Sequence, residues 1–266
     1  MQKITTTKEK IEEIKQRGYP LEFGEILSQA LNNYQKIVWI AGAGVLLLSI
    51  VFFAIIMGLA AIFIGLSTFG RDIADFQIQN FSAAGIIVAL VGGAIAVALI
   101  KPFYAGILRV AHHADAKEDF DFSTLFYYYK SEYLKEIIIA GILIGFCSNG
   151  ISTALELTGN TILGSVISYI IILLTLFTTP LIIFGNLKAI EAIQASLMLV
   201  SRNFFMLLAL MIVAVILAGL GVFAFCIGIL FTIPLVFSVQ YMIYTNVIGI
   251  DEKNELEEIG NSSSDY

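Results

Sequence analysis

Leu99-Ile-Lys-Pro-Phe-Tyr104, Phe177-Thr-Thr-Pro-Leu-Ile182 and Phe231-Thr-Ile-Pro-Leu-Val236 are three short segments that decide the fold. Each sets a proline (Pro102, Pro180 or Pro234) inside a long apolar run, and together they hold three of the chain's 4 prolines. A soluble helix rarely keeps an interior proline, because the ring removes one hydrogen bond and clashes with the preceding turn. A membrane helix tolerates it when neighbouring helices or Ser/Thr side chains satisfy the freed carbonyls. The three segments therefore read as kinked spans of a polytopic membrane protein built from three repeated units.

Composition supports that class. Of 266 residues, 58% are hydrophobic and 14% charged, against roughly 25% charged in ordinary soluble domains. The net charge of -6 is concentrated in the tail after Ile250 and argues against nucleic-acid binding. The N-terminus lacks the pattern of a basic start followed at once by a short apolar core. Its first apolar run is expected to act as an uncleaved anchor.

A span needs about 20 mostly apolar residues, and six runs supply them. The expected spans are Ile37 to Leu66, Ala83 to Arg109, Ile137 to Leu157 and Ile162 to Phe184. The apolar stretch from Phe204 to Ile250 is long enough for two more, with a turn between Ala218 and Gly228 where glycines cluster. Ahead of the first, third and fifth spans lie amphipathic segments. Phe23 to Val38 carries apolar residues at Phe23, Ile26, Leu27, Ala30, Leu31, Tyr34 and Ile37, the stripe of a helix. Phe122 to Lys135 is dense in Phe and Tyr, which favour the headgroup level. In Leu187 to Arg202, Ile190, Ile193, Leu197 and Val200 line one side, and Lys188, Glu191 and Gln194 another. The fold class is thus an all-α bundle of six spans in three parallel pseudo-repeats. Residues 1–22 form a polar N-terminal segment, 23–250 the membrane domain and 251–266 an acidic disordered tail.

Orientation follows from the basic residues. Six spans place both ends on one side. That side collects Lys3, Lys8, Lys10, Lys15, Arg17, Lys36, Arg109, Lys117, Lys130, Lys135, Lys188, Arg202 and Lys253, and the other holds Arg71. Under the positive-inside rule both termini, and all three amphipathic segments, are cytoplasmic. Gly141-Ile-Leu-Ile-Gly145 and Gly92-Gly-Ala-Ile-Ala96 allow close helix approach, within the chain or between copies in a homo-oligomer.

Chemistry-bearing motifs are sparse. His112 and His113 are adjacent, so on a helix they point about 100° apart and do not share one metal easily. With Asp115, Glu118, Asp119 and Asp121 they form either a solvated polar connection or a loose cytoplasmic metal site. Cys147 and Cys226 lie in separate apolar segments without CxxC spacing. Glu156 and Asp75 on the outer side have no spacing that marks an acid/base pair. Asn80-Phe-Ser82 on the same side is a glycosylation sequon only in a eukaryotic host. No nucleophile elbow, Walker A loop or dinucleotide fingerprint is present. The expectation is a protein without a cofactor, a metal or an enzymatic activity.

Lys101 is the one charge well inside a span. Such a lysine is costly, by about 3 kcal/mol on insertion scales, and is a functional candidate by default. Eight residues before Arg109, it lies roughly 12 Å deeper along a helix. It either snorkels toward the headgroups or contacts an anionic lipid or substrate between helices. The prolines either shape the bundle or mark hinges, with Thr178, Thr179 and Thr232 beside them.

Ala192-Ile-Gln-Ala-Ser-Leu-Met-Leu-Val-Ser-Arg-Asn-Phe204, Cys226-Ile-Gly-Ile-Leu-Phe-Thr-Ile-Pro234 and Tyr241 to Tyr244 resemble a large group of six-helix bacterial membrane proteins. The stretch is similar to the membrane domain fused to some glycerophosphoryl diester phosphodiesterases. The resemblance is clearest over the last eighty residues and extends over most of the chain from Phe23, including Phe122-Ser-Thr-Leu-Phe126. It implies a membrane domain without the catalytic domain, located in a bacterial inner membrane, and transfers no functional residues. The expected role is membrane or envelope homeostasis through contact with membrane lipids or a protein partner at the cytoplasmic face. The alternative is a small transporter or flippase for an anionic amphiphile.

Overall fold

The computed structural model describes residues 7–63, 83–223 and 228–250. Cys226, Arg71, Asp75, the Asn80 sequon and the acidic tail lie outside these residues. The polar N-terminus carries α1 (Thr7–Arg17), ended by Gly18 at a φ of 68°. The first unit is α2 (Phe23–Phe63) and α3 (Ala83–Ala116). The second is a 3-10 helix (Phe122–Tyr129), α4 (Leu134–Leu157), α5 (Thr161–Leu174) and α6 (Thr178–Ile183). The third is α7 (Ala189–Arg202), α8 (Phe204–Gly219), α9 (Gly228–Thr232) and α10 (Pro234–Val247).

Six stretches are long and apolar enough to cross a membrane: Phe23–Ile55, Leu90–Ala116, Leu134–Leu157, Thr161–Ile183, Phe204–Phe223 and Gly228–Val247. The fifth and sixth are separated within the expected Ala218 to Gly228 interval. Ile50, Phe53, Ile95, Ile162 and Val215 are exposed on the bundle's outside, where lipid tails replace water as solvent. Between spans three and four the chain reverses at Gly159, whose φ of 82° suits a residue without a Cβ. The Asn160 amide reaches back to Leu155 O at 2.9 Å.

The leading segments differ from one another. The first is continuous with its span in one helix of 41 residues. Its buried stripe is Ile26, Ala30, Asn33, Ile37 and Ala41, while Leu31 is exposed. The second is a 3-10 helix rather than an α-helix. Asp121 caps it, its carboxylate accepting from the Ser123 and Thr124 amides at 2.9 and 3.2 Å. Three residues per turn bring Leu125 and Tyr128 onto one face, and both are buried. The segment turns back beside α3. Leu125 rests on Gly106, where a Cβ would strike the Leu125 carbonyl. The third, α7, is helical as expected, and its apolar side is split between core and surface. Ala189, Ala192, Ser196 and Leu199 are buried, whereas Ile190 and Leu197 face outward. Ala189, Ala192 and Ser196 permit the close approach, and Ile190 and Leu197 are left to lipid.

The prolines also occupy distinct local settings. Pro102 is inside the continuous α3. Pro180 is the third residue of α6, after a break at Thr175–Phe177, and Pro234 opens α10. In all three, the residue three positions before the proline is bound by the leading segment of the following unit. The Tyr129 hydroxyl donates to Leu99 O at 2.8 Å. Ser196 Oγ accepts from the Phe177 amide at 3.0 Å and donates to Leu174 O at 2.8 Å. The Tyr34 hydroxyl donates to Phe231 O at 3.3 Å. Unit two thus closes on unit one, unit three on unit two, and unit one on unit three. This cycle is the structural expression of the pseudo-repeat. The cycle bonds the turn ahead of each proline, one residue beyond the carbonyl that the ring frees, which lies four positions before it. Gln240 completes it by donating to Leu176 O, the carbonyl four residues before Pro180, at 2.6 Å.

The axis inside this ring is filled. Phe103, Phe177, Leu181 and Val239 are buried between the proline spans. At the polar end one ring from each unit meets the others: His112 and Phe184 have centroids 5.4 Å apart, and Tyr241 lies 6.0 and 6.1 Å from them.

Candidate functional site

Lys101 lies on α3 facing α4, half-buried. Its stem passes close to Gly141, where an added Cβ would sit 3.2 Å from Lys101 Cγ and 2.8 Å from the Ala98 Cα. Gly145 likewise faces Ala94. The GxxxG therefore serves internal packing of α4 on α3, and its partners are Ala94 and Ala98 rather than Gly92 and Ala96. Among the described residues the Lys101 ammonium has no hydrogen-bond or ion-pair partner. Pro102, Pro180 and Pro234 are buried in packed protein, as are Thr178 and Thr179. Thr232 Oγ donates to Ala218 O across the break before Pro234.

The two histidines part company, as adjacent helix positions require. His112 Nδ1 is 3.1 Å from the Tyr241 hydroxyl, which in turn donates to Asp115 at 3.2 Å. His113 turns the other way, with Nδ1 2.7 Å from Glu118 Oε2. Asp121 is held by its cap, and hydrogen bonding, first from the Ser123 hydroxyl, keeps its carboxyl below the usual carboxylate range. Among the described residues no group of three His, Cys, Asp or Glu side chains is placed to hold a metal.

At the polar end, pockets open at two of the seams between units and a third opens between α7 and α1. The first, about 530 Å³, lies between α3 and the 3-10 helix. Its lining includes Arg109, His113, Thr124, Tyr127, Lys130 and Ser131. The second, about 400 Å³, lies between α10 and the start of α2, with Gln29, Asn32, Lys36, Asp115, Thr245 and Asn246. The third, about 490 Å³, lies on α7 and is partly covered by α1, with Lys8, Glu12, Lys15, Glu191 and Gln194. That helix is held by a Lys8–Glu191 ion pair at 2.9 Å and by Lys10 Nζ donating to Ile248 O at 2.7 Å. Just after it, Tyr19 donates to Leu199 O at 2.8 Å, and burial raises the Tyr19 pKa well above the ordinary phenol value.

The first pocket is chemically different from the other two. Its lining holds Arg109, Lys130 and a histidine and no carboxylate. The other two mix both signs of charge. The Arg109 guanidinium lies 3.8 Å over the Tyr127 ring. Arg109 and His113 are four apart on one helix face, a signal readable in sequence. Lys130 joins them only because the 3-10 helix turns back. Lys101 lies outside this pocket, so the structure does not bring the sequence's principal candidate into it.

The fold and the chemistry of its polar rim define a multi-pass, all-α membrane protein. Compared with known proteins, the chain matches no family model, no curated protein and no solved structure.

Proposed function

We propose that this chain is a non-enzymatic protein of a bacterial cytoplasmic membrane, with both termini cytoplasmic, that serves membrane or envelope homeostasis by holding lipid at its polar rim. The observation that carries this reading is the contrast between a filled axis and open seams. The polar end of the bundle centre is packed with His112, Phe184 and Tyr241, whereas two pockets open between units at its rim. Outward-facing Ile190 and Leu197 on α7 suit an interfacial helix whose apolar side contacts acyl chains. Kinship with the membrane domains fused to phosphodiesterases is part of the same proposal and is supported by the Ala192 to Phe204 and Pro234 motifs.

A second reading, transport of an anionic amphiphile, is favoured by Lys101, whose ammonium has no partner among the described residues at mid-depth in α3. One assay separates the two. Protein is reconstituted into vesicles carrying a head-labelled anionic lipid, and transbilayer movement is followed by bleaching from outside. Movement at the rate of protein-free vesicles is the expected result. Protein-dependent movement that is lost in Lys101→Ala would replace lipid holding with transport.

A further inference from the structure

We propose that the pocket between α10 and the start of α2 holds a zwitterionic headgroup, a phosphate joined to a primary ammonium, with Lys36 taking the phosphate and Asp115 the ammonium. This rests on the lipid-holding reading and names its ligand chemistry. Both side chains line the pocket, yet among the described residues they do not pair with each other. Each is tethered by one neutral partner. Lys36 Nζ donates to Ala114 O at 3.1 Å, and Asp115 Oδ2 accepts from the Tyr241 hydroxyl at 3.2 Å. Lys36 thus keeps further N–H donors, and Asp115 keeps its second oxygen. Opposite charges held apart in one opening are both satisfied by a ligand that carries both signs. Neutral amides complete the lining. Asn246 Nδ2 donates to Gln29 Oε1 at 2.8 Å and to Met242 O at 2.7 Å, which leaves its Oδ1 to accept from an ammonium. Asn32 also lines the pocket and has no partner among the described residues.

The balance of charge selects the headgroup. A purely anionic one would set its charge beside Asp115. A trimethylammonium has no N–H to donate and takes aromatic faces instead, and no ring lines this pocket. A primary ammonium brings three donors to the carboxylate and the amide oxygens. The other two pockets do not offer this pairing. The first has no carboxylate. In the third the charges pair with one another, Lys8 with Glu191 at 2.9 Å and Lys15 with Glu12 at 3.5 Å. The α2 face beside the pocket points to a lipid as the source. Asn32, Lys36 and Trp39 share one stripe of this helix. Trp39 lies about one turn deeper than Lys36. It is 74% exposed and meets Phe231 edge-on at 5.9 Å across the same seam. An acyl chain leaving a headgroup at Lys36 passes this indole, and Trp favours the boundary between headgroup and tail. The volume of about 400 Å³ lies within the usual range of small-molecule sites.

The test is native mass spectrometry of the full chain released from nanodiscs of equal phosphatidylethanolamine, phosphatidylglycerol and phosphatidylcholine. Wild type is expected to retain one phosphatidylethanolamine. Lys36→Gln and Asp115→Asn each remove a charge but keep an atom for the Ala114 or Tyr241 hydrogen bond. Both side chains are exposed, so both variants are expected to fold. Each is expected to lower phosphatidylethanolamine retention about tenfold, the loss of one charge-assisted contact of about 1.4 kcal/mol. Asp115→Asn is further expected to retain phosphatidylglycerol instead, because Lys36 is then left as a lone cation. Lys130→Ala, at the first pocket, is expected to change nothing. Equal retention of the three lipids by wild type, or undiminished phosphatidylethanolamine in either folded charge variant, overturns the headgroup assignment while sparing lipid holding. A bare wild-type chain overturns both. Excess soluble phosphoethanolamine, which carries the same chemistry without tails, distinguishes the source. Persistence of the lipid adduct supports a headgroup within its lipid, and displacement overturns the lipid as the source.

Discussion

Gln240 gives the sharpest test of the proline cycle. Its Nε2 donates to Leu176 O at 2.6 Å, the carbonyl that would have accepted from residue 180 had that residue an N–H. The neighbouring rung is intact, with Leu181 N donating to Phe177 O at 2.9 Å. An alanine at 180 would therefore aim its N–H at Leu176 O. Leaving a buried carbonyl unpaired costs about 1–3 kcal/mol. Interhelical hydrogen bonds in membranes average nearer 0.6 kcal/mol, with a maximum of about 1.7, because the unfolded chain in lipid finds other partners. Here the chain's own partner is removed by the proline, which places Gln240→Leu toward the upper end, at about 1.5 kcal/mol. In a Pro180→Ala background the same change should cost less than about 0.5 kcal/mol, since the backbone takes over the carbonyl. The assay is SDS-driven unfolding in mixed micelles, followed by circular dichroism for all four proteins of the cycle. Equal costs in both backgrounds, or a wild-type cost under about 0.5 kcal/mol, would refute the reasoning.

Gly106→Ala should destabilise by about 1–3 kcal/mol, because its Cβ meets the Leu125 backbone, while Gly150→Ala, with nothing within 4 Å, should be neutral or stabilising; thermal melts in detergent compare the two. The Asp121 cap has a pH signature. Its folded pKa is depressed, chiefly by the Ser123 hydroxyl, so its contribution is fully present above the ordinary carboxylate value of about 3.9 and is lost as pH falls through the lower folded value. Amide exchange at Ser123 and Thr124 should keep its protection, corrected for intrinsic rates, down to about pH 4 and lose it below. Lys101→Ala should fold in normal yield and leave lipid retention unchanged, measured by native mass spectrometry.

The class was legible because the spans are long and the charge bias is one-sided, two signals that need no tertiary context. The seams were not. Tyr34 meets Phe231 across 197 residues, and nothing local in either stretch announces the other. Asn33 interrupts the apolar stripe of α2, yet it is buried because it donates to Ala111 O at 2.7 Å and accepts from Ser238 at 3.0 Å. A hydrophobic pattern scores such a residue as solvent-facing. α7 shows the converse. The large residues Ile190 and Leu197 mark an apolar face, but in a bilayer apolar does not mean inward, and the small residues point to the close contact. The 3-10 helix was hidden in a run of aromatics without clear α periodicity, and Gly106 opposite it was the overlooked sign of backbone on backbone.

Transport by alternating access requires one unit to rock against the others around a fixed site. In this bundle, moving any one unit opens two of three seams, because each is tied to the one before and the one after through Tyr34, Tyr129 and Ser196. Severing these ties takes a partner from Leu99 O, Phe231 O and the Phe177 amide, at about 0.6 and at most about 1.7 kcal/mol for each interhelical bond, before any of the packing around Phe103 and Phe177 is counted. A ring joined in this way favours static holding over rocking. Hydrogen exchange in nanodiscs reads the difference. A bound phospholipid should protect the amides of residues 114–118 and leave those flanking Pro180 and Pro234 unchanged. Faster exchange flanking two or more prolines on lipid addition would mean that the ring opens, and the transport reading would take its place.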